Sequence, residues 1–148
     1  KLLSFLIKLL HKILPTRERL HKTNQENTAV CLNCQSGEID DLKHALVTCE
    51  KSQPTFYWMM KGISLFIPNV TEDEILHLDL VPDNPLPRHS LPLVWFVGNV
   101  LSSLWTRRKN GRPCHLYEIK TDIDAQVSLL RRTNYNDICI IVESMISV

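Results

Sequence analysis

Apolar and polar positions along the 148-residue chain repeat with helical spacing almost throughout. At the start, Leu2, Leu3, Phe5, Leu6, Ile7, Leu9, Leu10, Ile13 and Leu14 wrap most of a helix. Its other face carries Lys1, Ser4, Lys8, His11 and Lys12, and Pro15 ends it. Thr16 caps a short charged helix over 17–22, and polar residues 23–28 follow. The acidic pair Asp40-Asp41 opens another short helix over 40–50. Pro54 predicts a break before a helix over 55–66, where Phe56, Met59, Met60, Ile63 and Phe66 suit a core better than a base-stacking platform. Thr71 and Glu74 form a capping box for a helix over 72–78, in which His77 has no partner at ligand spacing.

Prolines at 82, 85, 87 and 92 exclude regular structure and predict a stiff linker over 81–91. Ser90 then caps a long helix with Pro92 in its first turn, carrying Val94, Trp95, Val97, Val100, Leu101 and Leu104 to Arg108, with Gly111 as its stop. Leu116, Ile119, Ile123, Val127 and Leu130 keep helical spacing to Arg132, so the two long helices read as a hairpin. The apolar tail 138–148 suits a strand or a helix; Asp137 at a capping position and the lack of a partner strand favour helix.

Composition sharpens this to a mostly α chain. Glycines number only 4, and 44% of residues are apolar, enough for a core. A formal charge of +1 gives no global attraction to polyanions, so any nucleic-acid argument must rest on local clusters. The apolar run 2–14 is interrupted by Lys8, His11 and Lys12, is shorter than the roughly 20 residues that cross a bilayer, and lacks a signal-peptide cleavage pattern. No membrane partner is expected, and the product is expected to be soluble and intracellular, in nucleus or cytoplasm. The chain begins on Lys1, which fits a segment cut from a longer polypeptide and equally fits processing.

The 5 cysteines argue against a disulfide scaffold and for a reducing compartment. Cys31 and Cys34 form a Cys-x2-Cys pair that can supply two thiolates from one turn, and His44 and Cys49 follow as His-x4-Cys. Together they make a candidate Cys3His zinc module over 23–53. On a regular helix, positions 44 and 49 lie roughly 140° apart, so Cys49 is expected where the helix has ended or loosened. The alternative is two loop thiols and two packed helix residues. Cys114 and Cys139 lie far from this group and pair by no spacing rule.

The run Leu14-Pro15-Thr16-Arg17-Glu18-Arg19-Leu20-His21-Lys22, the pair Cys31 and Cys34, and Asp41-Leu42-Lys43-His44 closing on Cys49 carry a resemblance. They resemble the zinc-binding region that follows the reverse transcriptase in non-LTR (LINE-type) retrotransposon polyproteins. That family shows such a lead-in, a CxxC pair, an acidic turn before H-x4-C, and a trailing Trp-x2-Arg-type segment, matched here by Leu104-Trp105-Thr106-Arg107-Arg108-Lys109. The resemblance spans about residues 10–135, and its specific part is 14–52. Leu32 stands where the family usually has proline, which leaves the ligands intact. The resemblance implies Zn2+ as cofactor, RNA or DNA as partner, and an upstream reverse transcriptase domain.

Basic residues offer two places for phosphates. Arg17, Arg19 and Lys22 lie beside the candidate metal turn, and Arg107, Arg108, Lys109 and Arg112 end the first long helix. The second group also reads as cations at a helix C-terminus, favoured by the dipole. Arg131 and Arg132 would lie at the far end of the hairpin, roughly 25 Å away, so one continuous basic groove is not expected.

Asp83, Glu118 and Lys120 match the loose skeleton of a restriction-type nuclease, but Glu118 and Lys120 fall in a helical pattern and Asp83 in the proline segment, not on adjacent strands. Cys114-His115 makes a poor nucleophile pair because adjacent helical residues diverge. No Gly-rich phosphate loop or paired-aspartate polymerase motif is present. The expected organisation is an amphipathic helix and basic lead-in over 1–22, the zinc module over 23–53, short helices over 54–80, the linker over 81–91 and a helical region over 92–148. The expected role is a non-catalytic zinc-binding accessory segment of a retrotransposon reverse transcriptase. A helical protein-interaction domain with a purely structural zinc is the alternative.

Overall fold

The computed structural model describes residues 1–80 and 87–148 and is mostly helical, as the spacing predicts. In order, α1 spans Leu2–Leu10, α2 Arg17–Lys22, a π-helical turn His44–Thr48, α3 Gln53–Ile63, α4 Glu72–His77, α5 Pro87–Lys109, α6 Leu116–Arg132 and α7 Asn136–Ile146. Among the described residues the only β pairing outside helices is an isolated antiparallel bridge between Val30 and Ile39. None of these helices is long and apolar enough to cross a membrane.

Boundaries follow local chemistry. The Thr16 hydroxyl accepts from the Arg19 amide to start α2, and Thr71 and Glu74 complete their capping box on α4. α1 ends at Leu10 because Lys12 turns left-handed at φ 54°, before Pro15 is reached. Two proline expectations are corrected. Pro54 does not break the chain but sits in the first turn of α3, where its missing N–H costs nothing. The start of the first long helix also differs: α5 begins at Pro87, so Ser90 lies inside it and Pro92 falls beyond the first turn. The rest of the expected linker, residues 81–86, lies outside the described residues. The tail is the helix α7.

α5 is the hub, packing against α1, α3, α6, α7 and the π turn. It contributes Leu93, Phe96, Val97, Val100, Leu101 and Leu104 to the core, all fully buried. Phe56, Met59 and Ile63 of α3 meet them, confirming these as core residues, and Phe96 packs edge-on to Trp58 with ring centroids 5.6 Å apart. The α5–α6 hairpin is tied by Arg107, which forks onto the Asp122 carboxylate at 2.8 and 3.1 Å and reaches Glu118 at 2.7 Å. That hydrogen bonding holds the Asp122 carboxyl below its usual range despite partial burial. α1 leaves an apolar stripe, Leu3, Ile7 and Leu10, facing solvent.

Two glycines allow close helix approach, with different tolerance. A Cβ on Gly62 of α3 would lie 2.7 Å from the backbone carbonyl oxygen of Met145 on α7. On Gly98 of α5 it would meet the Leu6 side-chain tip at 3.0 Å, and that tip can rotate away. Gly62→Ala is therefore expected to destabilise by about 1–3 kcal/mol, the overpacking cost outweighing the gain in helix propensity. Gly98→Ala should be close to neutral. Urea midpoints of the two variants check this, and equal midpoints would contradict it.

Candidate metal centre

Two short segments build the site. The chain pairs with itself across a hairpin: Val30 bridges Ile39, the Cys31 amide donates to the Glu38 carbonyl at 2.9 Å, and the Asp40 amide to the Ala29 carbonyl at 2.8 Å. Gly37, at φ +74°, supplies the left-handed residue the return requires. Within the hairpin the Asn33 amide donates to Cys31 Sγ at 3.3 Å, so the Cys-x2-Cys turn folds back on its own sulfur.

The second segment starts where Asp41 Oδ1 accepts from the His44 amide at 2.7 Å. The turn then widens. The Cys49 amide donates to the His44 carbonyl at 2.9 Å, an i→i+5 bond, and the chain leaves the helix at Cys49 with ψ 129°. A π turn brings residues five apart much nearer to one face than a regular helix does, and the chain then leaves the helix at Cys49, so His44 and Cys49 can face one point. Ser52, fully buried, donates to the Ala45 carbonyl at 2.7 Å and closes the turn onto α3.

The ligand atoms of Cys31, Cys34, His44 and Cys49 all lie within 4.8 Å of one another, and all four residues are buried. His44 Nε2 is 3.3 Å from Cys34 Sγ. In a tetrahedral site with sulfur bonds of about 2.3 Å, neighbouring ligand atoms stand about 3.8 Å apart. The observed spread is within a small side-chain adjustment of that. This buried Cys3His cluster, with all five cysteines of the chain free, could hold a metal ion.

Groups behind the ligands orient them. His44 Nδ1 lies 2.7 Å from the Glu38 carboxylate and 3.3 Å from Thr48 Oγ1, which leaves Nε2 aimed at the sulfurs. Arg108 reaches in from α5: Nη1 donates to Cys49 Sγ at 3.2 Å, Nη2 to Cys31 Sγ at 3.0 Å, and Nη2 also to Asp40 Oδ1. Asp40 is itself buried and accepts the Arg17 amide at 3.2 Å on its other oxygen, tying the start of α2 to the cluster. Burial pushes the Cys31 thiol up against the hydrogen bonds it receives. For Cys34 burial also acts upward, but the Ser36 hydroxyl and amide, with Cys31 and His44, outweigh it and bring the thiol to about 6. Burial opposes the charge on Arg108, yet Cys49, Asp40 and Cys31 raise its proton affinity above the usual guanidinium value.

The expected phosphate contacts are not brought together. Arg108 is 6% exposed and faces the sulfurs, so it is not a surface contact; its length and five donors suit a buried acceptor cluster. Arg107 is committed to Asp122 and Glu118, and Arg17 pairs with Glu26 at 3.1 Å. Arg19, Lys22, Lys109 and Arg112 are exposed, with Lys22 paired to Glu18. Of the nuclease skeleton, Glu118 holds Arg107, Lys120 lies over the Trp58 ring at 4.9 Å, and Asp83 is outside the described residues. His77 is exposed, its Nδ1 on the Asp73 carbonyl. Sequence reasoning missed Arg108, Asp40 and Glu38 as supports of the cluster. Only Asp40 and Glu38, lying between the two ligand pairs, carry a local signal. Comparison with protein-family models, curated proteins and solved structures returned no match.

Proposed function

We propose that the chain is a non-catalytic zinc-binding accessory segment of a retrotransposon reverse transcriptase that contacts template RNA or target DNA. The observation that carries this is the buried Cys3His cluster, with a charge partner behind two of its sulfurs and a carboxylate behind its imidazole. Three thiolates and one imidazole are the donor set of structural Zn2+ sites. Cys31, Cys34, His44 and Cys49 would fill the tetrahedron and leave no position for water, so zinc would stabilise the fold and perform no chemistry. The lead-in from Leu14 to Lys22, which resembles that of non-LTR elements, is tied to the cluster through Asp40. Of the exposed cations, Lys109 ends α5 and Arg112 follows it, and these would meet phosphates, in a nuclear or cytoplasmic setting beside an upstream polymerase domain.

A second reading, a helical protein-interaction domain stapled by zinc, is favoured by one observation, the exposed stripe Leu3, Ile7 and Leu10 on α1. Metal content by native mass spectrometry, together with binding to labelled RNA and DNA oligomers at low and moderate salt, separates the two. One equivalent of zinc and salt-dependent binding are expected. A zinc-loaded chain that binds no oligomer at low salt would sustain the second reading instead.

A further inference from the structure

A trough runs along one side of α5. Its middle is a cleft of about 590 Å³ between α1 and the C-terminal half of α5. Lys1, Lys8 and Lys109 line it with Trp105, Thr106 and Asn110, and no carboxylate of the described residues does. None of the three lysines has an ion-pair partner among the described residues, although the rest of the surface pairs many of its charges. Toward α6 a second cleft shares Lys1, Ser102 and Thr106 and adds Arg112 and Gln126; its one carboxylate, Asp122, is already taken by Arg107. Toward the cluster a third cleft shares Trp105 and Lys109 and ends at Asp40 and Arg108; its carboxylates, Asp40 and Glu26, are paired with Arg108 and Arg17.

Resting on the nucleic-acid reading above, we propose that a single-stranded polynucleotide lies in this trough, with phosphates on Lys8 and Lys109 and a base against Trp105. Unpaired cations in the middle cleft, where no carboxylate of the described residues lines the wall, attract a polyanion. Hydroxyl and amide side chains between them suit phosphate and sugar oxygens. A part-exposed indole provides the flat apolar face on which an unpaired base stacks whatever its identity. From Asn99 to Lys109 the trough floor runs ten residues of helix, about 15 Å, enough for a short stretch of strand. The metal cluster bears on this surface directly. Arg108, anchored on two ligand sulfurs, sits next to Lys109 in the chain, so the cluster fixes the end of α5 that carries Lys109 and Trp105.

The test measures fluorescence anisotropy of a labelled 12-nucleotide oligo-U with the 148-residue chain, each variant first shown to keep wild-type metal content and helical circular dichroism. Lys8→Glu/Lys109→Glu is expected to weaken binding more than 10-fold and to flatten the salt dependence, by about 0.7 in log–log slope per lost contact. Trp105→Ala should weaken it roughly 5- to 150-fold while leaving the salt slope unchanged. Arg19→Glu/Lys22→Glu should change it less than about 3-fold. If the trough variants bind as wild type while Arg19→Glu/Lys22→Glu loses affinity, the trough is wrong and the nucleic-acid reading stands. If wild type binds poly-glutamate but no oligonucleotide, both fall.

Discussion

Cys49→Ser is expected to lose the bound metal and to lower the melting temperature by roughly 8–16 °C. Cys49 is fully buried, and its sulfur both faces the other three ligands and accepts from Arg108. A serine oxygen is a shorter and poorer ligand. Structural zinc contributes about 10–16 kcal/mol of apparent binding energy in small zinc-finger peptides, and that energy is folding energy when the apo site does not form by itself. Here α3, α5, α6 and α7 form most of a core distinct from the three clustered cysteines, so only part of that energy bears on global stability. A loss of about 4 kcal/mol converts to the stated shift for a chain of this size. Native mass spectrometry reads the metal and circular dichroism the melt, with Cys114→Ser, whose sulfur lies outside the cluster, as the unchanged control. A Cys49→Ser chain that retains one metal ion and the wild-type melt would remove the basis for a four-ligand centre.

Arg108→Met is expected to destabilise the chain by about 3–5 kcal/mol, more than a surface arginine could. It would leave the Asp40 carboxylate buried with only the Arg17 amide, and would strip Cys31 and Cys49 of a cationic donor. Three thiolates around a divalent ion would carry one net negative charge, and Arg108 is placed to face it. Arg108→Lys should recover little, because a single ammonium cannot serve two sulfurs and a carboxylate in three directions. Adding Asp40→Asn to Arg108→Met should restore part of the loss, since the stranded charge is then gone. Denaturant midpoints of the two single variants and the double variant give the coupling energy. Strict additivity would show that the buried pair is not energetically linked.

The helices and the four residues of the cluster are legible in the sequence because both are local. Spacing of apolar residues defines α1 and α6, a capping box defines α4, and Cys-x2-Cys with His-x4-Cys limits what the intervening loop can do. Even the loosened turn follows, since a regular helix cannot aim His44 and Cys49 at one ion. Arg108 is not legible. It lies 59 residues from Cys49 and 77 from Cys31, and within the run from Arg107 to Lys109 it looks like one more cation at a helix end. Which of three adjacent basic residues turns inward depends on the rotation of α5 against the hairpin, and that is set by core packing at Leu101 and Leu104. The start of α5 is not legible for a different reason: proline stiffens a linker and opens a helix equally well, and Pro87 does the second.

The wide turn at His44–Thr48 has a consequence for how such chains can vary. Removing one residue between His44 and Cys49 would let the helix relax to its ordinary winding and swing the last sulfur away from its companions. The hairpin is held too, since Gly37 turns left-handed, the Glu38 carbonyl accepts the Cys31 amide and the Glu38 carboxylate meets His44. Natural variants able to hold an ion here should therefore keep the interval of four between imidazole and thiolate constant.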